Sequence, residues 1–171
     1  MQSVPRLIIP RLAVAPSVRA AAIEYGDDPH SAYYGAVADL TDDELPGYVE
    51  MLVADTRERS PRPAGYVPST HLWWVDGEQF LGRLHIRHRL TPSLRDEGGH
   101  LGYHVPLPHR RRGHATAMLA ASLPVAAALE IDCLLLTCDA DNIASRKVIE
   151  ANGGLFHDQR GHKLRYWVPT G

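Results

Sequence analysis

The segment Arg110-Arg111-Arg112-Gly113-His114-Ala115-Thr116 separates an alternating stretch, His100 to Val105, from an alanine-rich stretch, Ala117 to Leu129. This order predicts a strand, a basic turn and a helix. The start of a helix leaves several backbone N–H groups without intrahelical partners and carries about half a positive charge. The small residues Gly113 and Ala115 let a bulky anion approach that backbone, and the arginines add donors. We therefore expect this turn to bind the phosphates of a phosphorylated cofactor.

Length, charge and cysteine content narrow the class of protein. The 171 residues are enough for one domain with a hydrophobic core, and we expect a single domain over residues 1–171. The 18 basic and 20 acidic residues give a formal net charge of -2, which argues against a general nucleic-acid binder. Cys133 and Cys138 lie five positions apart in an apolar run, where a strand points them to opposite faces and prevents a disulfide. This cysteine usage predicts a reducing, cytoplasmic compartment.

The N-terminal stretch Leu7 to Ala15 is apolar, and its end resembles a signal-peptidase site. Pro10 and Arg11 interrupt the apolar run, so we predict a first strand instead. No stretch approaches the roughly 20 apolar residues of a membrane span, and we expect no membrane partner.

Turn residues and hydrophobic periodicity predict the remaining elements. The clearest is a hairpin around Asp76-Gly77, in which alternating residues predict one wet and one buried face. Thr41 and Glu44 have capping-box spacing and predict a helix that ends near Arg59. The other predicted elements are a helix at Pro16–Tyr25, a buried strand at Cys133–Cys138, a helix at Asn142–Ala151, and strands at 155–157 and 163–168.

The order of these elements, with Arg-x-x-Gly-x-Ala at Arg110–Ala115 and Asn-x-x-Ser at Asn142–Ser145, resembles the GNAT superfamily of acyl-CoA-dependent N-acyltransferases. The resemblance covers nearly the whole chain and is most specific from Gly102 to Gly154. It implies an α+β fold with a mixed, mostly antiparallel sheet of about six or seven strands. A central parallel pair lies in that sheet, and about four helices flank it in three αβα layers. The resemblance also implies acetyl-CoA as the co-substrate.

The resemblance assigns cofactor contacts residue by residue. Backbone groups of the strand at 103–105 would hold the pantetheine arm, and backbone N–H groups at 111–116 would bind the pyrophosphate. Asn142 would contact a pantetheine amide, and Lys147 or Arg146 would reach the 3′-phosphate. The cofactor-binding residues expected in this way are Tyr103, His104, Val105, Arg110, Arg111, Arg112, Gly113, His114, Ala115, Thr116, Asn142 and Lys147.

Direct transfer to an amine requires a neutral nitrogen. A lysine-like amine with a pKa of ~10.4 costs about 4.6 kcal/mol to deprotonate at pH 7, so a base assists. His100 stands roughly where many members of the superfamily carry a glutamate, and the ordinary pKa of histidine suits a base at neutral pH. Glu97 is the second candidate, and water or a distant residue is the third.

The departing thiolate requires a hydrogen-bond or proton donor. Many relatives use a tyrosine at the position that lines up with Ile149, so the commonest assignment does not apply here. A subgroup resembling ribosomal-protein N-terminal acetyltransferases has serine in the Asn-x-x-Ser pattern, which points to Ser145. The alternatives are that Ser145 is an ordinary first-turn serine and that Cys138 forms an acyl-enzyme.

The acceptor is the least determined part of the prediction. Acidic and aromatic candidates for its site are Glu24, Asp27, Asp28, Tyr33, Tyr34, Tyr66, Trp73 and Trp74, although only one of the two neighbouring tryptophans should face inward. The ten histidines form no matching ligand set, so we expect no metal. The leading function is acetylation of a primary amine of a small molecule or a protein N-terminus, with a homodimer left open. The alternative is a catalytically weak or inactive CoA-binding sensor or interaction domain.

Overall fold

A computed structural model describes residues 4–26 and 36–171. Its helices are α1 (Ala15–Tyr25), α2 (Leu45–Ala54), α3 (Pro92–Asp96), α4 (His114–Ala128) and α5 (Ile143–Ala151). Its strands are β1 (Arg6–Ile8), β2 (Ser69–Asp76), β3 (Gln79–Arg87), β4 (Leu101–His104), β5 (Cys133–Asp139), β6 (Leu155–Arg160) and β7 (Lys163–Pro169). In these described residues, no helix is both long and apolar enough to span a membrane.

The strands form two antiparallel sheets, with the orders β1-β2-β3-β4 and β5-β7-β6. The sheets meet at a seam, where residues 98–100 lie against residues 135–137. The His100 N–H donates to the Leu135 carbonyl (2.7 Å), and the Gly98 N–H donates to Thr137 Oγ1 (2.9 Å). Within the described residues no strand ladder joins β4 to β5, so the expected parallel pairing of these strands stays a prediction.

Gly99 permits the close approach at the seam. Its φ is +59°, and a Cβ at this position would overlap the carbonyl oxygen of Leu135. A larger residue would therefore force the two sheets apart.

Helices cover both faces of the β2–β3 hairpin. Trp73 packs with α1 and α2, whereas Trp74, which points to the opposite face, packs with α4 and α5. The exposed fractions of these two side chains are 2% and 6%. The expectations of a wet hairpin face and of a single inward tryptophan were therefore wrong, because a sheet between two helical layers buries both of its faces. The same arrangement confirms the predicted α+β class with helices on both sides.

Several elements differ from the sequence prediction. β1 ends at Ile8, before Pro10, which cannot donate a backbone hydrogen bond. The capping box at Thr41 and Glu44 is confirmed, but α2 ends at Ala54 instead of near residue 59. Beyond α2, the Arg62 guanidinium donates to the carbonyls of residues 55, 57 and 58, which holds this segment in turns. The additional helix α3 begins after Thr91, whose side chain accepts from the Leu94 N–H (3.2 Å).

Candidate active site

The basic turn between β4 and α4 has the backbone shape of an anion-binding site. Arg111 and Gly113 are both left-handed, with φ values of 60° and 79°. The first hydrogen bond of α4 runs from the Ala117 N–H to the Gly113 carbonyl (3.0 Å), so the N–H groups of the first turn precede the helical ladder. A Cβ at Gly113 would meet no other atom within 4 Å. A left-handed arginine is strained, and this strain lies directly before the first-turn N–H groups of α4, a combination of left-handed turn and helix start that is typical of anion-binding sites.

The three arginines of the turn have different surroundings. Arg110 points inward: its Nε donates to the Val105 carbonyl (2.8 Å), and its guanidinium lies 3.2 Å from His104 Nε2. Arg111 and Arg112 are exposed. Arg110 thus holds the turn against the end of β4. It also uses the carbonyl of Val105, a residue expected to hold the pantetheine arm. Arg111 and Arg112 face solvent beside the start of α4.

The side chains at the start of α4 anchor the helix to the rest of the protein. His114 Nδ1 accepts from the Trp74 indole N–H (3.2 Å), and burial lowers the pKa of His114. Ala115 packs against the core, and the Thr116 carbonyl accepts from Asn152 Nδ2 (3.2 Å). A ligand would therefore meet the backbone of this segment rather than these side chains.

Beyond the seam, β4 and β5 border a gap that we define by Tyr103 on β4 and Cys138 on β5. Tyr103 lies three residues after His100, and Cys138 lies three residues after Leu135. The Cys138 thiol contributes to the raised pKa of the Tyr103 hydroxyl, so these two side chains lie close together.

Helix α5 brings two polar side chains to this gap. Asn142 caps the helix, since its Oδ1 accepts from the Ser145 N–H (3.1 Å). Ser145 Oγ lies 2.6 Å from the Tyr103 hydroxyl. Burial, with a smaller contribution from Cys138, raises the pKa of Tyr103 to about 12, although the hydrogen bond to Ser145 opposes the shift. Lys147 is exposed on the same helix.

Sequence reasoning gave the Tyr103 backbone a role at the pantetheine arm and named Tyr103, with Cys138 and solvent, only as a fallback should the assignment of Ser145 fail; it did not predict the contact between the two hydroxyl groups. The alternation of side chains along β4 could have indicated that the Tyr103 side chain points toward α5. Tyr103 shares a face with Leu101, and that face packs against the cluster that contains Ile149 of α5.

The two candidate bases have different environments. His100 is buried; its Nδ1 accepts from the Leu135 N–H (2.8 Å), and burial, assisted by nearby arginines, lowers the pKa of His100 to about 4. Glu97 is exposed and pairs with Lys163 (3.0 Å), which also contacts Asp139 (2.8 Å). The structure therefore holds His100 neutral in the seam and places Glu97 in a surface ion-pair cluster.

An open cavity of about 680 Å³ begins one residue beyond Cys138. Its lining is rich in acidic and polar groups from the end of β5 and the β6–β7 turn: Asp139, Ala140, Asp141, Gln159, Gly161 and His162. A second cavity of about 410 Å³ lies between α2 and the first sheet, where Tyr48, His71 and Arg83 contribute polar groups.

The other predicted acceptor residues lie elsewhere. Trp73 and Trp74 are buried in the two cores, and Tyr66 is exposed. Glu24 is exposed on α1, whereas Asp27, Asp28, Tyr33 and Tyr34 lie outside the described residues.

Neither a metal cluster nor a reactive thiolate is evident in the described part of the chain. Residues 4–26 and 36–171 contain no group of three or more His, Cys, Asp or Glu side chains placed to hold a metal ion. Both cysteines are unbridged, as predicted. Burial raises the pKa of Cys138, which favours the thiol over the nucleophilic thiolate.

A family model described as the acetyltransferase (GNAT) domain matches residues 6–154, so the chain belongs to the GNAT acetyltransferase family. This confirms the resemblance inferred from the sequence. A comparison with curated proteins gives no match.

Solved structures share this fold at low sequence identity. A RimL ribosomal L7/L12 alpha-N-protein acetyltransferase in complex with coenzyme A is 15% identical, with a TM-score of 0.65, covering 96% of this chain and 93% of that chain. RimJ of Mycobacterium smegmatis in complex with CoA-disulfide is 18% identical, with a TM-score of 0.69 and coverage of 98% and 82%. The microcin C7 self-immunity acetyltransferase MccE, in complex with acetyl-CoA and AMP, is 11% identical, with a TM-score of 0.67 and coverage of 96% and 92%.

Proposed function

We propose that this protein transfers an acetyl group from acetyl-CoA to a primary amine by direct attack of the amine nitrogen on the thioester. The observation that carries the proposal is the turn at residues 111–116, where a left-handed backbone leads into the first-turn N–H groups of α4 after the C-terminal end of β4. Such a turn suits a pyrophosphate because the helix dipole and the N–H donors at a helix start favour an anion. The exposed Arg111 and Arg112 add positive charge, and Arg110 holds the turn in shape.

The remaining binding roles follow the path from this turn to the gap. Edge backbone groups of Tyr103 and His104 contact the pantetheine arm, and Asn142 lies on the opposite side of the gap at the start of α5. Lys147, exposed on α5, attracts the 3′-phosphate. Ser145 faces the thioester sulfur.

The environment of the candidate bases favours an acceptor with a low pKa. The His100 Nδ1 already accepts a backbone hydrogen bond, and its pKa of about 4 makes it a weak base. Glu97 is engaged with Lys163. Without a strong base, the amine itself must be easy to deprotonate. At pH 7 this costs about 1 kcal/mol for an α-amino group, against about 4.6 kcal/mol for a lysine-like amine.

We therefore assign the acceptor as the N-terminal α-amine of a peptide or protein. Asp139 and Asp141 at the cavity, with Glu97 nearby, attract the ammonium form, and the proton leaves to water. The RimL neighbour supports this acceptor class, because it is described as an alpha-N-protein acetyltransferase.

The test is CoA release from acetyl-CoA with three acceptors: a peptide with a free N-terminus, the same peptide with a blocked N-terminus and an internal lysine, and a small polyamine. Mass spectrometry locates the acetyl group on the product. Acetylation of the free α-amine is the expected result. Transfer only to lysine or the polyamine would overturn the acceptor assignment. CoA binding without release on any amine would favour the sensor or interaction domain instead.

A further inference from the structure

Two hydroxyl groups meet across the gap. Tyr103 approaches from β4 and Ser145 from the first turn of α5, 42 positions apart in the chain, and their oxygens are 2.6 Å apart. Tyr103 packs against the core that contains Cys138, so the aromatic ring is fixed beside the end of β5. The contact therefore joins β4 to the first turn of α5, close to the position proposed for the thioester sulfur.

This pair places a hydroxyl hydrogen on the face of α5 that continues into the core. One helical turn after Ser145, on the same face, stands Ile149, which is fully buried and apolar. The Cys138 thiol lies near the Tyr103 hydroxyl, since it contributes to the raised pKa of Tyr103.

We propose that Tyr103 is a positioning residue that acts through Ser145: the Tyr103 hydroxyl donates to Ser145 Oγ, which aims the Ser145 hydrogen at the departing sulfur. This inference rests on the proposed acetyl transfer. In a hydrogen-bond chain each donor polarises the next, so the Ser145 hydroxyl becomes a stronger donor than an isolated serine.

The pair stabilises charge instead of giving up a proton. The amine nitrogen bonds to the carbonyl carbon, the carbon–sulfur bond breaks, and its electron pair stays on sulfur. Ser145 donates a hydrogen bond to that thiolate. The nitrogen releases its proton to water, and the thiolate takes one from water after departure. A tyrosine with a pKa of about 12 stays protonated throughout, since full transfer to a thiolate with an ordinary pKa of ~8.5 is uphill.

The test is a double-mutant cycle with Tyr103→Phe and Ser145→Ala. Loss of the Ser145 donor should lower kcat about 100-fold, and loss of the Tyr103 hydroxyl about 3- to 10-fold, the rate equivalent of one neutral hydrogen bond. Because Tyr103 acts only through Ser145, the double variant should lose no more than Ser145→Ala alone. The KM for acetyl-CoA should stay within about twofold in all three, because a donor to developing charge acts in the transition state.

Tyr48→Phe is the matched control, because it removes another half-buried tyrosine hydroxyl, one that contacts Arg83 and packs against the core of α1 and α2 on the opposite face of the first sheet. Its kcat should equal that of the wild type. A fluorinated tyrosine at position 103 keeps the hydroxyl and lowers its pKa, so kcat should acquire an alkaline fall at the new pKa. This variant also serves if Tyr103→Phe folds poorly.

Three results would overturn the inference while leaving the proposed function standing: wild-type kcat in Tyr103→Phe, additive losses in the double variant, or no alkaline fall with the fluorinated residue. Absence of CoA release by the wild-type protein with every amine would instead overturn the proposed function, and this inference with it.

Discussion

The hydrogen bond of His100 at the seam between the two sheets predicts a measurable contribution of this residue to the free energy of unfolding. In the folded protein its Nδ1 accepts from the buried N–H of Leu135 at 2.8 Å, which only the neutral imidazole can do. His100→Ala leaves that N–H without this acceptor, at a cost of about 1–3 kcal/mol in the free energy of unfolding. His100→Asn is the matched variant, because its amide oxygen offers an acceptor at a similar position. We expect it to recover most of the loss at pH 7.5.

The same histidine sets the direction of the pH dependence. Burial, with Arg95 and Arg87 nearby, lowers the pKa of His100 to about 4, against an ordinary value near 6.5 in the unfolded chain. Between these values the unfolded chain binds a proton that the folded chain does not, so stability is complete above pH 6.5 and falls as the pH drops toward 4. The loss attributable to His100 is on the order of 3 kcal/mol.

Denaturant unfolding at pH 7.5, 5.5 and 4.5 checks both expectations. The wild type should lose more stability than His100→Asn over this range. The difference between their free energies of unfolding should therefore shrink to zero or change sign as the pH falls. The buried His85, whose pKa is also lowered, contributes equally to both proteins and cancels in the difference. Parallel pH curves for the two proteins, or wild-type stability of His100→Ala at pH 7.5, would refute the reasoning.

Three further predictions concern the turn, the seam and the acceptor side. Gly113→Ala should cost about 1–2 kcal/mol in stability, because its φ is +79°, but it should retain CoA binding, because its Cβ position is open. Gly113→Glu should abolish CoA binding. If calorimetry finds the same CoA affinity for Gly113→Glu and the wild type, the phosphate does not bind at this turn. Gly99→Ala should lower the melting temperature more than Gly113→Ala, because its Cβ overlaps Leu135; equal melting temperatures would count against a tight seam. Glu97→Gln should raise the KM for the peptide without changing the pH profile of kcat, because Glu97 attracts the ammonium group; a lower kcat that recovers at high pH would make Glu97 the base instead.

Patterns local in sequence predicted much of the fold. The capping box of Thr41 and Glu44, the hairpin turn at Gly77, and the strand–turn–helix order around Gly113 each depend on residues a few positions apart. Short-range hydrogen bonds and backbone preferences decide such features, so a single sequence reveals them. The resemblance to the GNAT family, confirmed over residues 6–154, added the expected arrangement of these elements into a sheet flanked by helices.

Contacts between distant segments could not be predicted in the same way. The Tyr103–Ser145 hydrogen bond and the bond between His100 and Leu135 depend on how the two sheets and α5 pack, which periodicity alone does not determine. The inward turn of Arg110 likewise depends on the Val105 carbonyl being within reach. The sequence predicted an Arg110 that binds phosphate and offered His100 as a base at neutral pH, whereas the structure gives Arg110 and His100 hydrogen bonds inside the protein.

The central claim is that the turn at residues 111–116 and the gap between β4 and β5 form one acetyl-CoA site. A crystal structure determined with CoA tests it most directly. The account predicts pyrophosphate oxygens within hydrogen-bond distance of the backbone N–H groups of this turn, and the CoA sulfur in the gap, facing Ser145 Oγ. Pyrophosphate bound away from the turn, or a pantetheine arm that runs outside the gap, would contradict it.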